Sequence, residues 1–567
     1  MTISLRPHVF EARDGRSIAA EMGSLTVPMN RSAPGRGTVA LAFVRLPSTS
    51  AKPGPPVIFL NGGPGLSGIR AGRGRLFALF DALRAAGDVI LLDQRGAGSS
   101  TPSLDCAQMQ IALDVVVDRS DRLHLARVWM RQCAEQLAHA GVDVRAFNTN
   151  ESADDVADLV RALGTSTASL LGWSYGTHLA FAVMRRHGDL VARAVLAGPE
   201  GPDHTYKLPS RIEQYLSAIS ARARAQMPNA PELVDSMTRV FAGLAEIEII
   251  AANETPAAPF FTRFDVEWMT AEGIADPRMI ARLPRWYARM ARGRFVDIAH
   301  DPVLRAYFEA SRNQFAGTLA RVCMDCASGA SRERWSRIEK EAEETLLGRT
   351  IDFPLPEICD AIGMPDLGDE FRAPLRSATP VLFVTGTLDA RTPAENAHEL
   401  IPGFSNSRHL VVEDAGHTDL LDSPRVRDAV ARFMRGEDVA SQQLPAERPL
   451  QFERPTPVLL YDDQCAFCRR QVDGLRRRVG DAVEFESYRT GAQWSSIPEA
   501  ELAQSVHFID GDTVASGAEA VFLTLAAGGK HRALLWLYRR VRFFAQTAEA
   551  SYRWVARNRA RLGRKLR

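Results

Sequence analysis

The stretch ASLLGWSYGTHLAFAVMRR, residues 168–186, joins a short apolar run to a helical pattern through a Gly-x-Ser-x-Gly turn. The run Ala168–Trp173 suits a strand buried on both faces, and Thr177–Arg186 has the spacing of a helix. The glycines on either side of Ser174 let backbone approach backbone closely, which presents the Ser174 hydroxyl at the edge of the sheet. The stretch therefore predicts a nucleophilic serine on a strand-to-helix turn.

Further short apolar runs surround this stretch, and each ends in a polar or glycine-containing segment. They are Val57–Leu60, Val89–Leu92, Val191–Leu196, Val381–Val384 and His409–Val412. Helical patterns separate them, so the fold class is α/β, with a doubly wound, mostly parallel sheet. Open sheets of this kind place their sites at the carboxyl ends of the strands, where the polar residues cluster here.

The chain is too long for one core and divides by composition. We expect a first domain over residues 1–435, with a helical cap at about 203–372, a proline-containing linker over 436–456, and a small α/β domain over 457–567. The last part has 18 Lys and Arg against 12 Asp and Glu, whereas the remainder has 51 against 56. Two parts of opposite net charge are consistent with two domains.

Composition excludes several classes of protein. A net charge of +1 argues against a whole surface built for nucleic acid, and seven cysteines are too few for a disulfide-dense secreted scaffold. The N-terminal residues show no export signal, and nowhere is there a run of 18 uncharged apolar residues. We therefore expect a cytoplasmic protein with no transmembrane segment and no nucleic-acid partner.

A serine hydroxyl needs a base, and the base needs an orienting carboxylate. His417 and Asp389 each follow a predicted strand, in the chain order serine, aspartate, histidine. They are our candidates for the base and its partner, and His409 and Asp414 are the alternatives nearest to them. The Gly63 and Tyr175 amides are the candidates for stabilising an oxyanion, since Gly63 follows an early strand and Tyr175 follows the serine.

Five motifs fall in order along the chain: NGGPG (61–65), DQRGAGSS (93–100), GWSYG (172–176), GTLDARTP (386–393) and AGH (415–417). They resemble the proline iminopeptidase and tripeptidyl aminopeptidase branch of the α/β-hydrolases, in which the first motif is usually HGGPG. The resemblance covers about Gly23 to Met434 and implies a capped serine peptidase that removes residues from peptide N-termini. Disulfides in secreted relatives imply a pair between Cys106 and Cys133, which we expect to be reduced here.

Removal of residues from an N-terminus requires an acidic group that binds the substrate's amine. The candidates are Glu200, Glu232, Asp265 and Glu267. The same triad could hydrolyse esters or amides, so an esterase or amidase acting on a small metabolite is the alternative.

The cap contains Cys323-Met-Asp-Cys326 and, further on, Cys359. Neither a second pair of cysteines nor a pair of histidines completes a zinc site. We expect structural thiols with one disulfide at most, and no metal or cofactor.

In the last domain, the strand-like VLLY (458–461) leads to Cys465-Ala-Phe-Cys468 and a helical pattern. A cysteine at a helix N-terminus has a lowered pKa, and a second cysteine one turn on could resolve a mixed disulfide. The arrangement is thioredoxin-like, and with Asp462 it resembles the DCC family of thiol-disulfide oxidoreductases. No proline precedes Val506, where such sites usually have a cis-proline. Two functions therefore stay open for this domain: redox exchange with a thiol partner protein, or an interaction module whose cysteines are vestigial. In either case, hydrolysis could be the secondary role of the protein.

Residues 530–567 hold 12 Lys and Arg and one acidic residue, with six aromatic residues among them. Such a basic, aromatic helix can lie on a membrane, touch nucleic acid or pack on its own domain. Because the DCC resemblance runs through it, we favour packing.

Overall fold

The computed structural model describes residues 2–105, 118–228, 230–244, 262–293, 319–491, 497–511, 513–529 and 531–564, together with Asp301, Val303, Leu304 and Ala306. The strands are β1 Thr2–Glu11, β2 Ser17–Pro28, β3 Thr38–Leu46, β4 Val57–Leu60, β5 Val89–Leu92, β6 Ala168–Trp173, β7 Val191–Ala197, β8 Val381–Leu388, β9 Ser407–Gly416, β10 Gln442–Leu444, β11 Val458–Tyr461, β12 Glu484–Ser487, β13 His507–Asp510 and β14 Thr513–Ser516.

The helices up to the end of the large sheet are α1 Gly68–Gly72, α2 Phe77–Leu83, α3 Arg119–His139, α4 Thr149–Ala162, α5 Tyr175–His187, α6 Pro209–Gln226, α7 Leu233–Gly243, α8 Arg263–Gly273, α9 Pro277–Ile280, α10 Leu283–Met290, α11 Leu319–Ser328, α12 Arg332–Glu344, α13 Gly368–Arg372, α14 Ala394–Leu400 and α15 Pro424–Met434. Those that follow are α16 Ala466–Val479, α17 Tyr488–Gly491, α18 Glu499–Leu502, α19 Gly517–Ala527, α20 Arg532–Arg540 and α21 Arg542–Arg564. Short 3-10 helices lie at Val144–Ala146, Gly188–Leu190, Thr350–Asp352, Cys359–Ala361, Ile401–Gly403 and Gly480–Ala482.

The large sheet has the strand order β1-β2-β3-β5-β4-β6-β7-β8-β9-β10. The segment from β5 to β10 is parallel, as predicted, whereas β1, β2 and β3 add an antiparallel edge next to β5. β6 lies inside the sheet, and successive residues of this strand point to opposite faces, so Leu170 packs in one hydrophobic core and Leu171 in the other. Burial on both faces explains the uninterrupted apolar run before Ser174.

Between β7 and β8, the described residues are mainly helical, from α6 to α13. A disulfide joins Cys326 of α11 to Cys359, with 5.5 Å between the two Cα atoms, and Cys323 is a buried free thiol. The expectation that Cys106 and Cys133 are reduced is wrong for Cys133, which is disulfide-bonded, and Cys106 lies outside the described residues.

The small sheet has the strand order β12-β11-β13-β14, with β11 parallel to β12 and antiparallel to β13. Leu459, Phe508 and Ala520 contribute to its core. A central strand that leads directly into a helix, next to an antiparallel hairpin, is the arrangement expected of the predicted thioredoxin-like domain.

Internal contacts divide the chain into two compact units. One comprises residues 1–219, 237–281 and 294–451, and the other comprises residues 220–236, 282–293 and 452–567. The division at Gln451 falls inside the predicted linker, but residues 442–444 of that linker form β10 at the edge of the large sheet. Two short segments of the predicted cap group with the C-terminal unit. In that unit, Arg282 and Arg285 both pair with Glu453, each at 2.9 Å. Within the described ranges, every helix is too short or too polar to span a bilayer.

Candidate active site and thiol site

Ser174 lies at the junction of β6 and α5 with a φ of 55° and a ψ of −126°. A positive φ is costly for a residue with a side chain and is maintained here by the surrounding packing. A Cβ on Gly176 would lie 1.8 Å from the Leu60 carbonyl oxygen, so only glycine fits at this position. The tight turn predicted from the sequence is therefore present, with the serine at its apex.

Ser174 is the first of three residues joined by hydrogen bonds. His417 Nε2 lies 2.9 Å from Ser174 Oγ, and His417 Nδ1 lies 2.9 Å from Asp389 Oδ2. Thr392 donates to both oxygens of the Asp389 carboxylate, from its amide at 2.8 Å and its hydroxyl at 2.7 Å. Asp389 is buried, so it orients the imidazole from a protected position. The sequence predicted three of these residues and missed Thr392, which belongs to the same GTLDARTP motif.

The two alternative residues have other partners. His409 Nε2 lies 2.9 Å from Thr385 Oγ1, and burial together with neighbouring His398 lowers the pKa of His409 to about 4. Asp414 accepts a hydrogen bond from the Leu450 amide at 2.7 Å. The structure thus brings His417 and Asp389 to Ser174.

The loop after β4 approaches the serine closely. A Cβ on Gly62 would lie 2.7 Å from the Ser174 Cβ, so the glycine permits this approach. Asn61 is buried, and its side chain accepts from the Gly62 amide at 2.9 Å and donates to the Ser67 carbonyl at 3.1 Å. Gly63 lines the same cavity as Ser174 and Tyr175.

That cavity has a volume of about 310 Å³. Its lining includes seven charged side chains besides His417, namely Glu200, Lys207, Glu272, Arg321, Asp325, Asp352 and Arg391. Lys207 pairs with Glu200 at 2.8 Å, and Arg391 pairs with Glu272 at 2.5 Å. Burial raises the pKa of Asp325 to about 7 and that of Asp352 to about 6. Two carboxyl groups that line this cavity therefore have pKa values raised towards neutral pH.

Of the four predicted amine-binding carboxylates, only Glu200 lines the cavity. Burial would raise its pKa, but Lys207 and His178 lower the pKa below its ordinary value. The other three bind arginines elsewhere: Asp265 pairs with Arg122 at 2.6 Å, Glu267 with Arg263 at 2.7 Å, and Glu232 with Arg224 at 3.6 Å.

The structure supplies two carboxylates that the sequence reasoning missed. Asp325 lies in the Cys323-Met-Asp-Cys326 segment, which was considered only for its cysteines, and Asp352 lies shortly before Cys359. Nothing in their local patterns distinguishes them from other acidic residues of the cap.

In the C-terminal unit, Cys465 is the N-cap of α16, and the Cys468 amide donates to its sulfur at 3.3 Å. Both cysteines are free thiols. Burial and the neighbouring Cys465 raise the pKa of Cys468 to about 12. At the position where thioredoxin-like sites usually have a cis-proline, the Val506 amide donates to the Tyr552 hydroxyl at 2.8 Å.

Comparison with known proteins finds three matching families. Residues 55–236 match the alpha/beta hydrolase fold family, residues 353–443 the TAP-like protein family, and residues 459–565 the DCC1-like thiol-disulfide oxidoreductase family. The chain carries an α/β-hydrolase domain and a DCC1-like domain. The hydrolase domain is similar to a tripeptidyl aminopeptidase of Streptomyces lividans, with 26% identity over 461 residues that cover 73% of this chain and 81% of the relative.

A shorter match links the hydrolase domain to the serine protease Hip1 of Mycobacterium tuberculosis, with 30% identity over 195 residues. That match covers 32% of this chain and 36% of the relative, so the chain spans about a third of Hip1. Among solved structures, the proline iminopeptidase of Mycobacterium smegmatis is 17% identical, with 73% of this chain and 98% of that chain covered and a TM-score of 0.36.

Proposed function

We propose that the hydrolase domain is a serine peptidase that releases residues from peptide N-termini. The observation that carries the proposal is the hydrogen-bonded chain Asp389–His417–Ser174, which opens into a cavity lined by buried carboxylates. The similarity to a tripeptidyl aminopeptidase over most of this domain supports the same reaction.

The chemistry begins with proton transfer. His417 Nε2 takes the Ser174 proton as the oxygen attacks the scissile carbonyl, while Asp389 stabilises the imidazolium that forms. The Gly63 and Tyr175 amides donate to the oxyanion. His417 then gives the proton to the leaving amine, and the N-terminal fragment stays bound to Ser174 as an ester. Water, activated by His417, hydrolyses this ester and restores the serine.

Asp325 and Asp352 are proposed to receive the substrate's N-terminal ammonium. A buried carboxylate is costly unless a cation pairs with it, so an incoming ammonium would offset the cost of ionising either group. Lys207 pairs with Glu200 at 2.8 Å, whereas Arg321 pairs with Asp325 at a longer 3.5 Å, so Asp325 and Asp352 are the better partners. We therefore assign binding of the substrate's ammonium to Asp325 and Asp352 instead of the four carboxylates predicted from the sequence.

The triad is tested with a fluorophosphonate probe, which reacts with activated serines. We expect labelling of the wild type and of Ser120→Ala, a control that removes an exposed hydroxyl from α3, and no labelling of Ser174→Ala. Equal labelling of both variants would refute the assignment.

The substrate class is tested with one peptide series, free or blocked at the N-terminus, beside simple esters. Turnover confined to free N-termini supports an aminopeptidase, and turnover of blocked esters alone rejects it.

A second candidate is hydrolysis of a small ester or amide that bears a carboxylate. It is favoured by Arg321 and Arg391, two arginines that line the same cavity and pair there with Asp325 and Glu272. The same substrate panel distinguishes it, because an anionic ester would then be preferred over every peptide.

For the DCC1-like domain we propose dithiol exchange with a partner protein. The Cys465 thiolate attacks a partner disulfide, which forms a mixed disulfide and releases one partner thiol. Cys468 then attacks Cys465, which releases the second partner thiol and leaves Cys465 joined to Cys468. Two electrons pass from the dithiol to the partner. Reduction of an insulin disulfide that is lost in Cys465→Ser supports this proposal. If the wild type does not reduce insulin, the domain is better explained as an interaction module.

The predicted cytoplasmic location stays a prediction. The Cys326–Cys359 disulfide is of a kind more common in oxidising compartments, and cell fractionation tests the prediction directly.

A further inference from the structure

The six aromatic side chains near the C-terminus divide into two groups. Tyr538 and Phe544 pack on Phe522 of α19, with ring centroids 5.5 and 6.0 Å apart, and the Tyr552 hydroxyl accepts from the Val506 amide. Trp536, Phe543 and Trp554 are 62%, 78% and 61% exposed. The packing predicted for this tail therefore accounts for half of its aromatic residues and leaves the other half facing water.

The exposed group has a regular arrangement. Phe543 and Trp554 are 11 residues apart on α21, which places them within about 20° on one face and about 16 Å apart along the axis. Val541, 39% exposed, lies at the junction of α20 and α21, between Trp536 and Phe543. Exposed apolar patches that are rimmed by polar residues mark sites of protein or membrane interaction.

Exposed arginines surround these apolar side chains. Arg532 and Arg540 lie one turn to either side of Trp536 on α20, and Arg553 and Arg557 flank Trp554 on α21. Among the described residues, none of the four arginines takes part in an ion pair. The exposed residues of α20, α21 and the junction between them are together called the tail surface: Trp536, Val541, Phe543, Trp554, Arg532, Arg540, Arg553 and Arg557.

Acidic side chains are absent from the tail surface. The one acidic residue between positions 531 and 564 is Glu549. Its carboxylate is turned to the interior, where it accepts from the Tyr538 hydroxyl at 3.0 Å and the Ala518 amide at 3.1 Å. The outward face therefore carries only positive charge.

We propose that the tail surface docks the protein on an anionic phospholipid bilayer. Aromatic rings prefer the interfacial layer of a membrane, and arginines beside them pair with lipid phosphates. A nucleic acid would also attract the arginines, but Val541 offers no ring on which a base can stack, whereas it partitions into lipid together with Phe543. The bilayer therefore accounts for every member of the surface.

The test uses the full-length protein and sedimented vesicles of phosphatidylcholine alone or with about a quarter phosphatidylglycerol. We expect binding to the anionic vesicles, weak binding to the neutral ones, and a loss of binding at about 0.5 M salt, where the screening length falls to a few ångströms. Replacing Trp536, Phe543 and Trp554 together by alanine should weaken binding at least tenfold. Val514→Ala, which trims an aliphatic side chain that is 51% exposed on β14, is the matched control and should not change it.

A second variant protects the test against a folding defect. Arg553→Glu with Arg557→Glu changes only exposed side chains and should also abolish binding, while the far-UV circular dichroism of both variants stays that of the wild type. No binding to anionic vesicles, or equal binding by the wild type and the triple variant, would overturn the proposal. So would tight binding to a DNA or RNA oligonucleotide without vesicle binding, or a dimer that the triple variant abolishes without vesicle binding.

Discussion

The two candidate sites activate their nucleophiles in different ways. Ser174 depends on a base and an orienting carboxylate that are brought together from β8 and β9 over more than 200 residues of chain, and every link is a hydrogen bond of 2.9 Å. Cys465 sits at the N-terminus of α16, and its nearest functional neighbour is Cys468, three residues on. A hydroxyl needs an external base, whereas a small fraction of an ordinary thiol is already thiolate near neutral pH. Loss of any one of Ser174, His417 and Asp389 should therefore abolish most of the activity of the first site. Loss of Cys465 or of Cys468 should each have a separate effect on the second site.

The largest effect is expected at the orienting carboxylate. Asp389→Asn keeps the shape of the side chain but removes the charge that holds the imidazole tautomer, so kcat should fall roughly 10⁴-fold. Steady-state kinetics on the best substrate measure the loss, with Asp369→Asn, an exposed carboxylate of α13, as the matched control. A loss below about tenfold would mean that His417 does not depend on Asp389, and the contrast between the two sites would weaken.

The triad was predictable because its signals are local. The strand, the glycines and the serine lie within nine residues, and Asp389 and His417 each follow a strand that the apolar pattern reveals. The antiparallel edge formed by β1, β2 and β3 was not among the predicted strands. Asp325 and Asp352 were not predicted because no local sequence pattern marks them. They reach the cavity only through the packing of α11 and its neighbours.

A smaller effect is expected at the substrate amine. Asp352→Asn and Asp325→Asn each remove a charge-assisted hydrogen bond, so KM for free N-terminal peptides should rise roughly tenfold to a hundredfold. KM for blocked esters should stay the same, which separates binding of the amine from damage to the triad. Glu267→Gln, a carboxylate paired with Arg263 outside the cavity lining, is the control. Equal effects on free and blocked substrates would remove Asp325 and Asp352 from the proposed amine site.

The buried carboxyl of Asp325 also predicts how stability depends on pH. Its pKa of about 7 lies above the ordinary 3.8, so the folded state holds a proton that the unfolded state has lost. The resulting stabilisation is complete below about pH 4 and disappears as pH rises through 7. Relative to wild type, Asp325→Asn should gain about 2–3 kcal/mol of unfolding free energy between pH 5 and pH 8, measured by urea unfolding. A constant difference across this range would show that Asp325 is ionised throughout.

The smallest effect concerns the two cysteines and tests their independence from the triad. Burial, the largest cause of the raised pKa of Cys468, persists when Cys465 is replaced, so very little of Cys468 should be thiolate at pH 8. Alkylation by iodoacetamide at that pH should therefore be about tenfold slower in Cys465→Ser, which leaves Cys468 in the motif, than in Cys468→Ser. Peptide hydrolysis should be the same in both variants and in wild type. Equal alkylation rates in the two variants would show that Cys465 is no more reactive than Cys468. A parallel loss of hydrolysis would show that the two sites, which differ in every contact that activates them, nevertheless act together.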